Sequence, residues 1–218
     1  MEATAADRPD ARFGREPAKE TTAPPTAASM AIADPAPLGL AAFALTTFVL
    51  SFFNAGLVSD TGAPVVLGLA LAYGGLAQVL AGMWEFRNGN TFGATAFTSY
   101  GAFWLSFWAL NQFFIGKVPA NELGSAVGLY LIAWGIFTAY MWVASFRTNA
   151  AVNVVLLLLT VTYIVLGIGE SGSHTTIIHA AGWIGIATAI AAWYASFAGV
   201  ANSTFGRTVM PVRPLMRS

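Results

Sequence analysis

Hydroxyl and amide side chains recur at helical spacing inside long stretches of this chain that carry no charge. Phe43, Thr47, Ser51 and Asn54 follow one another at intervals of three or four residues, so a helix places them on one face. Such side chains donate hydrogen bonds without bearing a charge. The face could therefore bind or pass a small polar solute, or it could bond its own backbone and hold helices together.

Two later stretches carry the same chemistry, at Thr91, Thr95, Thr98, Ser99, Tyr100 and Ser106, and at Asn153, Thr160 and Tyr163. An unpaired amide is costlier to bury than most hydroxyls, so Asn54 and Asn153 favour a wet cavity or a helix contact. No Asp, Glu, Lys or Arg lies near the centre of a stretch. An intramembrane carboxylate relay or ion pair is therefore not predicted.

The elements that hold these side chains follow from the spacing of the charges. Between Pro37 and Val200 only seven residues are charged. The uncharged runs between them are 38–59, 61–84, 88–116, 123–146, 148–169 and 171–200. Each exceeds the ~20 apolar residues that cross a hydrocarbon core. The sequence predicts an all-α membrane protein with six transmembrane helices per protomer.

Composition excludes several classes of protein. The chain is 56% hydrophobic and 9% charged, against roughly 25% charged in soluble domains, which argues against a soluble enzyme and a disordered protein. The net charge of zero gives no reason to expect nucleic acid binding. With no cysteine and two histidines, His174 and His179, we predict no metal site, no cofactor and no catalytic site.

The charged residues also predict the orientation and the domain limits. Six spans place Arg87, Arg147 and the basic C-terminal residues on the side of both termini, and positive residues gather in the cytosol. Both termini are expected to be cytosolic, in a multi-pass protein of the cytoplasmic membrane. Residues 1–33 are expected to be a disordered tail, 34–203 the transmembrane domain and 204–218 a C-terminal tail.

Four segments resemble one known family. Residues 35–40 (PAPLGL) are similar to the NPAPLGL signature of the acetate uptake transporter (succinate–acetate permease) family. Residues 89–104 (GNTFGATAFTSYGAFW) resemble its second block, and 177–185 (IIHAAGWIG) and 205–211 (FGRTVMP) fit its C-terminal pattern. The resemblance implies a homo-hexamer in the lipid bilayer, with one pathway for small monocarboxylates or succinate through each six-helix protomer.

The resemblance also implies roles for particular residues. The family's hydrophobic constriction of Phe, Tyr and Leu falls on Phe43, Tyr100 and Leu159. The implied substrate contacts are Thr46, Thr47, Asn54 and Thr95, and the implied cytosolic mouth is formed by Asp34, Glu85, Asn90 and Thr91. Asp34 stands where the family has Asn; both cap a helix, but Asp adds a negative charge at the mouth.

Two other readings of the sequence are weighed beside a carboxylate transporter. The protein could be a structural or assembly membrane protein whose polar residues serve helix packing. Alternatively, the GESG sequence at 169–172 matches the GxSG of rhomboid intramembrane proteases, with Ser171 and His179 as the reactive pair. That mechanism needs the two side chains on different helices packed side by side, which a separation of eight residues does not favour. Channel and proton symport both remain open.

Overall fold

The computed structural model describes residues 32–215, so most of the predicted N-terminal tail and residues 216–218 lie outside the described part. Within it, six long helices follow one another: α1 (Ala36–Asn54), α2 (Val65–Arg87), α3 (Thr91–Ala109), α4 (Ala120–Ser145), α5 (Ala150–Ser171) and α6 (Thr175–Phe205). Wide π-helical turns lie at Ala72–Ala77 inside α2 and at Leu110–Phe114 directly after α3. The all-helical fold predicted from the charge spacing is therefore present.

The helices start where the sequence supplies capping chemistry. The Asp34 carboxylate accepts a hydrogen bond from the Ala36 backbone N–H at 2.9 Å, just before Pro37 in the first turn of α1. Asn90 caps α3 by accepting from the Gly93 N–H at 3.1 Å, and Asn149 caps α5 by accepting from the Val152 N–H at 3.0 Å. These bonds satisfy backbone donors that a helix leaves free at its N-terminus.

Five of the helices are long and apolar enough to cross a membrane by length and composition: α1, α2, α4, α5 and α6. The helix that does not meet this measure is α3, whose length is 19 residues. It carries Thr91, Thr95, Thr98, Ser99 and Ser106, and these hydroxyls lower its hydropathy. The same hydroxyls that suggested a function for α3 therefore make it less hydrophobic than the five helices that meet the measure.

Helices α1 and α6 pack antiparallel along their whole length. The Ser196 hydroxyl of α6 donates to the Pro37 carbonyl at 2.7 Å, near the start of α1. At the other end, Gly182 lies so close to Ala55 that a β-carbon at position 182 would collide with its backbone. The described chain therefore begins and ends at the same end of the helix bundle, which we call the termini end.

The segment after α6 folds back onto the bundle. Helix α6 runs to Phe205, two residues past the predicted limit. Asn202 then holds the following segment through its side chain, accepting from the Val209 and Met210 N–H groups and donating to the Met210 carbonyl. Further on, the Ala150 N–H donates to the Arg213 carbonyl at 2.9 Å. Residues 206–215 therefore run from α6 to the start of α5.

Candidate transport pathway

Three apolar side chains from three helices meet in the middle of the bundle. Phe43 of α1, Tyr100 of α3 and Leu159 of α5 are 4%, 4% and 3% exposed. The rings of Phe43 and Tyr100 lie 6.0 Å apart between centroids, tilted by 50°. The Tyr100 hydroxyl donates to the Thr138 hydroxyl of α4 at 3.2 Å, which fixes its polar end against another helix.

A cavity of about 250 Å³ lies between these side chains and the termini end. We call it the proximal cavity. Its wall includes the N-terminal residues of three helices: Asp34 and Ala36 at α1, Asn90, Phe92 and Gly93 at α3, and Thr148, Asn149 and Val152 at α5. Helix N-termini present free N–H groups and the positive end of the helix dipole, which favour a negative ligand. The proximal cavity is therefore suited to a small anion.

Gln78 of α2 is the most buried polar side chain among the residues that line the proximal cavity. It is 1% exposed, and neither its amide nitrogen nor its amide oxygen has a hydrogen-bond partner among residues 32–215. It directly follows the π turn of α2, where Gly74 packs against the Thr46 side chain. Such turns are frequent at functional sites. Gln78 is not among the site residues predicted from the sequence, although it is the lone amide inside the uncharged run 61–84.

A second cavity of about 260 Å³ lies on the other side of the three apolar side chains. We call it the distal cavity. Its polar wall includes Thr47, Ser51 and Asn54 of α1, with Asn111, Tyr130, Thr162, Tyr163 and Glu170 from other helices. The Thr47 hydroxyl has no hydrogen-bond partner in the described chain. It is therefore free to bind a solute.

Several residues named from the sequence do not line either cavity in the described part of the chain. The Thr46 hydroxyl donates to the Ala42 carbonyl at 2.9 Å, and the side chain packs between α1 and α2. Thr91 and Thr95 of α3 are also absent from both walls. Glu85 is fully buried beside Gly93 at the start of α3, outside the proximal cavity. The predicted residues that do line a cavity wall are Asp34, Asn90, Phe43, Tyr100, Leu159, Thr47 and Asn54.

The serine and histidine of the protease reading are held by different neighbours. Ser171 ends α5 and its hydroxyl lies against Gly128 of α4. The His179 ring lies against Gly56, which follows the end of α1. Each side chain is thus in a packing contact with a glycine of another element.

The fold and the paired cavities define a class: a helical membrane protein with two cavities separated by apolar side chains, an arrangement known in channels and transporters. The chain belongs to the GPR1/FUN34/yaaH family, whose model matches residues 16–217.

Curated relatives agree with this assignment. The Succinate-acetate/proton symporter SatP of Escherichia coli is 40% identical over 183 residues, covering 83% of this chain and 95% of the relative. Accumulation of dyads protein 2 of Saccharomyces cerevisiae is 45% identical over 175 residues, covering 78% of this chain. This chain spans only 62% of that yeast relative. A solved structure of the bacterial acetate channel SatP matches with a TM-score of 0.78 and 40% identity, covering 83% of this chain and 99% of that one.

Proposed function

We propose that this protein transports acetate and related small carboxylates across a membrane, along a path within the protomer that joins the two cavities. The observation that carries the proposal is that Phe43 and Leu159 line both the proximal and the distal cavity. The two spaces thus abut at one constriction. Their volumes, about 250 and 260 Å³, are ample for a solute of a few heavy atoms.

Hydrogen-bond donors on the proximal side suit a carboxylate. The Gln78 amide can donate to a carboxylate oxygen and thereby gain the partner that it lacks among the described residues. The N-terminal turns of α3 and α5 add the positive ends of their dipoles. On the distal side, Thr47 and Asn54 of α1 are the proposed substrate contacts. A solute can therefore exchange hydrogen bonds with water for hydrogen bonds with side chains on either side of the constriction.

The constriction selects by size and by apolar character. Phe43, Tyr100 and Leu159 present carbon surfaces, and the Tyr100 hydroxyl is occupied by Thr138. An apolar narrowing of this kind excludes water and impedes hydrated inorganic ions. A solute with a methyl group loses less hydration on entering it. Acetate and acetic acid meet this requirement better than chloride or phosphate.

We further propose that all six helices span the cytoplasmic membrane and that both termini are cytosolic. Hydroxyls of α3 would meet neighbouring helices rather than lipid, because Thr98 lies against Gly82 of α2 and the Ser106 hydroxyl pairs with the Tyr130 hydroxyl of α4 at 2.7 Å. Arg87 and Arg147 lie at the termini end, which agrees with a cytosolic location of that end.

A homo-hexamer is proposed from the family resemblance. The outer face of α4 is apolar enough to contact either another subunit or lipid, because Leu129, Ile136 and Val143 are 72%, 63% and 62% exposed. Native mass spectrometry of the protein in detergent tests the stoichiometry, and a monomeric mass would contradict the hexamer.

Uptake of labelled acetate into proteoliposomes tests the proposed function. Vesicles with the purified protein should accumulate acetate faster than empty vesicles, and unlabelled propionate should compete. Uptake equal to that of empty vesicles would favour a packing or assembly role instead. Ser171→Ala is the matched control against a protease, because it should leave the uptake unchanged.

A further inference from the structure

We propose that Glu170 makes the distal cavity admit the uncharged acid in preference to the carboxylate anion. This inference rests on the proposed function, and it concerns the ionic form in which the solute enters. It would make the distal entrance dependent on pH through the solute itself.

Glu170 is placed to act on any solute in the distal cavity. It is the second-last residue of α5 and lines the cavity wall together with Asn54 and Asn111. Its carboxylate makes no hydrogen bond or ion pair with the described residues. Neither Lys nor Arg is among the described residues that line this cavity. A carboxylate anion entering here therefore meets an uncompensated like charge in a partly desolvated space.

Helix direction reinforces the effect of the side chain. The distal wall contains the last residues of α1 and α5 and the terminal π turn after α3, at Asn54, Glu170 and Asn111. The C-terminal end of a helix carries the negative end of its dipole. Leu123 brings the first turns of α4 to the same wall, but that first turn holds Glu122. The negative charge of Glu122 therefore offsets the positive dipole end of α4.

The proximal cavity has the opposite arrangement, although it also contains an acid. Three helix N-termini line it, and Asp34 is engaged by the Ala36 N–H at 2.9 Å. A backbone donor and a positive dipole end thus offset the Asp34 charge. Glu170 has neither. The two cavities therefore differ in the form of the solute that each stabilises.

Other titratable groups near Glu170 do not supply a cation. Tyr130 of α4 and Tyr163 of α5 line the same cavity. Lys117 lies at the same end of the bundle, but its ammonium is 5.3 Å from the centre of the Phe114 ring and does not line the cavity. The remaining groups at this end that do not line the cavity are Asp60, Glu122, His174 and His179.

The proton then travels as part of the solute. A carboxylic acid enters the distal cavity protonated, passes the constriction, and can release its proton to water at the proximal side. No bond to carbon changes in this step, and no separate proton-carrying side chain is needed. The net movement is one carboxylate and one proton in the same direction.

Acetate uptake at two pH values tests the role of Glu170. The protein is reconstituted with its distal end facing the bath, an orientation established by protection of an N-terminal tag from added protease. Uptake is measured at about pH 5.5, where acetic acid is appreciably populated, and at about pH 7.5, where it is scarce. Wild-type uptake should fall strongly at the higher pH. At about pH 7.5, acetate uptake by Glu170→Gln should be about fivefold higher than that of the wild type. At about pH 5.5, the two uptake rates should be equal.

Two controls separate charge from structure. Glu170→Asp keeps the charge and should keep the wild-type pH profile, whereas a profile like that of Glu170→Gln would show that the charge is not the cause. Glu122→Gln removes an acid at the same end that does not line the cavity, so it should raise uptake at the higher pH less than Glu170→Gln does. A Glu170→Gln profile identical to wild type at both pH values would overturn the inference while leaving acetate transport intact. No uptake by the wild type would overturn the proposed function, and this inference with it.

Discussion

Phe43 of α1 and Leu159 of α5 each face two cavities, one toward the termini end and one away from it. Tyr100 of α3 closes the gap from the proximal side, with its ring 6.0 Å from that of Phe43. Because the three side chains come from parallel helices, a small rotation of any one helix would change the width of the gap. The constriction is therefore a property of helix packing as much as of the three residues.

Leu159→Ala should widen the constriction and shift transport toward larger carboxylates. Three side-chain carbons are removed where the two cavities meet, so the ratio of lactate to acetate uptake should rise on the order of tenfold. Phe43→Ala and Tyr100→Ala should shift the ratio in the same direction. Leu157→Ala, at an exposed position of the same helix, is the matched control. An unchanged ratio in all three variants would place the selective step elsewhere.

Gln78→Leu should weaken acetate transport without weakening the fold. Its amide lacks a protein partner among the described residues, so leucine removes a buried polar group at little or no cost in folding free energy. The apparent KM for acetate should rise about tenfold, as expected for the loss of a hydrogen bond to a charged ligand. Concentration-dependent uptake and thermal unfolding measure the two effects. Gln112→Leu, on an exposed side chain, should change neither.

Two adjacent threonines should respond differently to the same substitution. Thr47→Val removes a free hydroxyl from the distal cavity and should lower acetate uptake about fivefold. Thr46→Val removes a hydroxyl bonded to its own helix, so uptake should persist and the unfolding free energy should change by no more than about 1 kcal/mol. Equal losses of uptake in both variants, at equal expression, would argue against Thr47 as a substrate contact.

Asp34→Asn should keep both folding and transport, because Asn also caps a helix. The change removes a negative charge from the wall of the proximal cavity, so the affinity for acetate from that side should improve modestly. Asp34→Ala should lose the cap and about 1 kcal/mol of stability, seen as a lower thermal midpoint. A marked loss of transport in Asp34→Asn, at normal expression, would show that the carboxylate itself is required.

The sequence alone determined where the helices lie and how several of them begin. A charge inside the hydrocarbon core is costly, so the spacing of seven charged residues sufficed to predict six long helices, with Glu85, Glu122 and Glu170 falling near helix ends. The capping residues Asp34 and Asn90 could be recognised because a cap depends on a few neighbouring residues. Family motifs then identified Phe43, Tyr100 and Leu159, which the structure brings together.

Only the tertiary structure decided which polar side chains face the pathway. Thr46 and Thr47 are neighbours of one type, yet α2 covers the first and the distal cavity exposes the second. A helix turns by about 100° per residue, so one position decides the neighbour that a side chain meets. The outer and inner faces of these helices are both mostly apolar, and hydrophobic periodicity marks an inner face only where the other face is wet. Gln78, Glu85 and Glu170 acquired their positions for the same reason, because the surrounding helices, rather than the local sequence, set the rotation of each span.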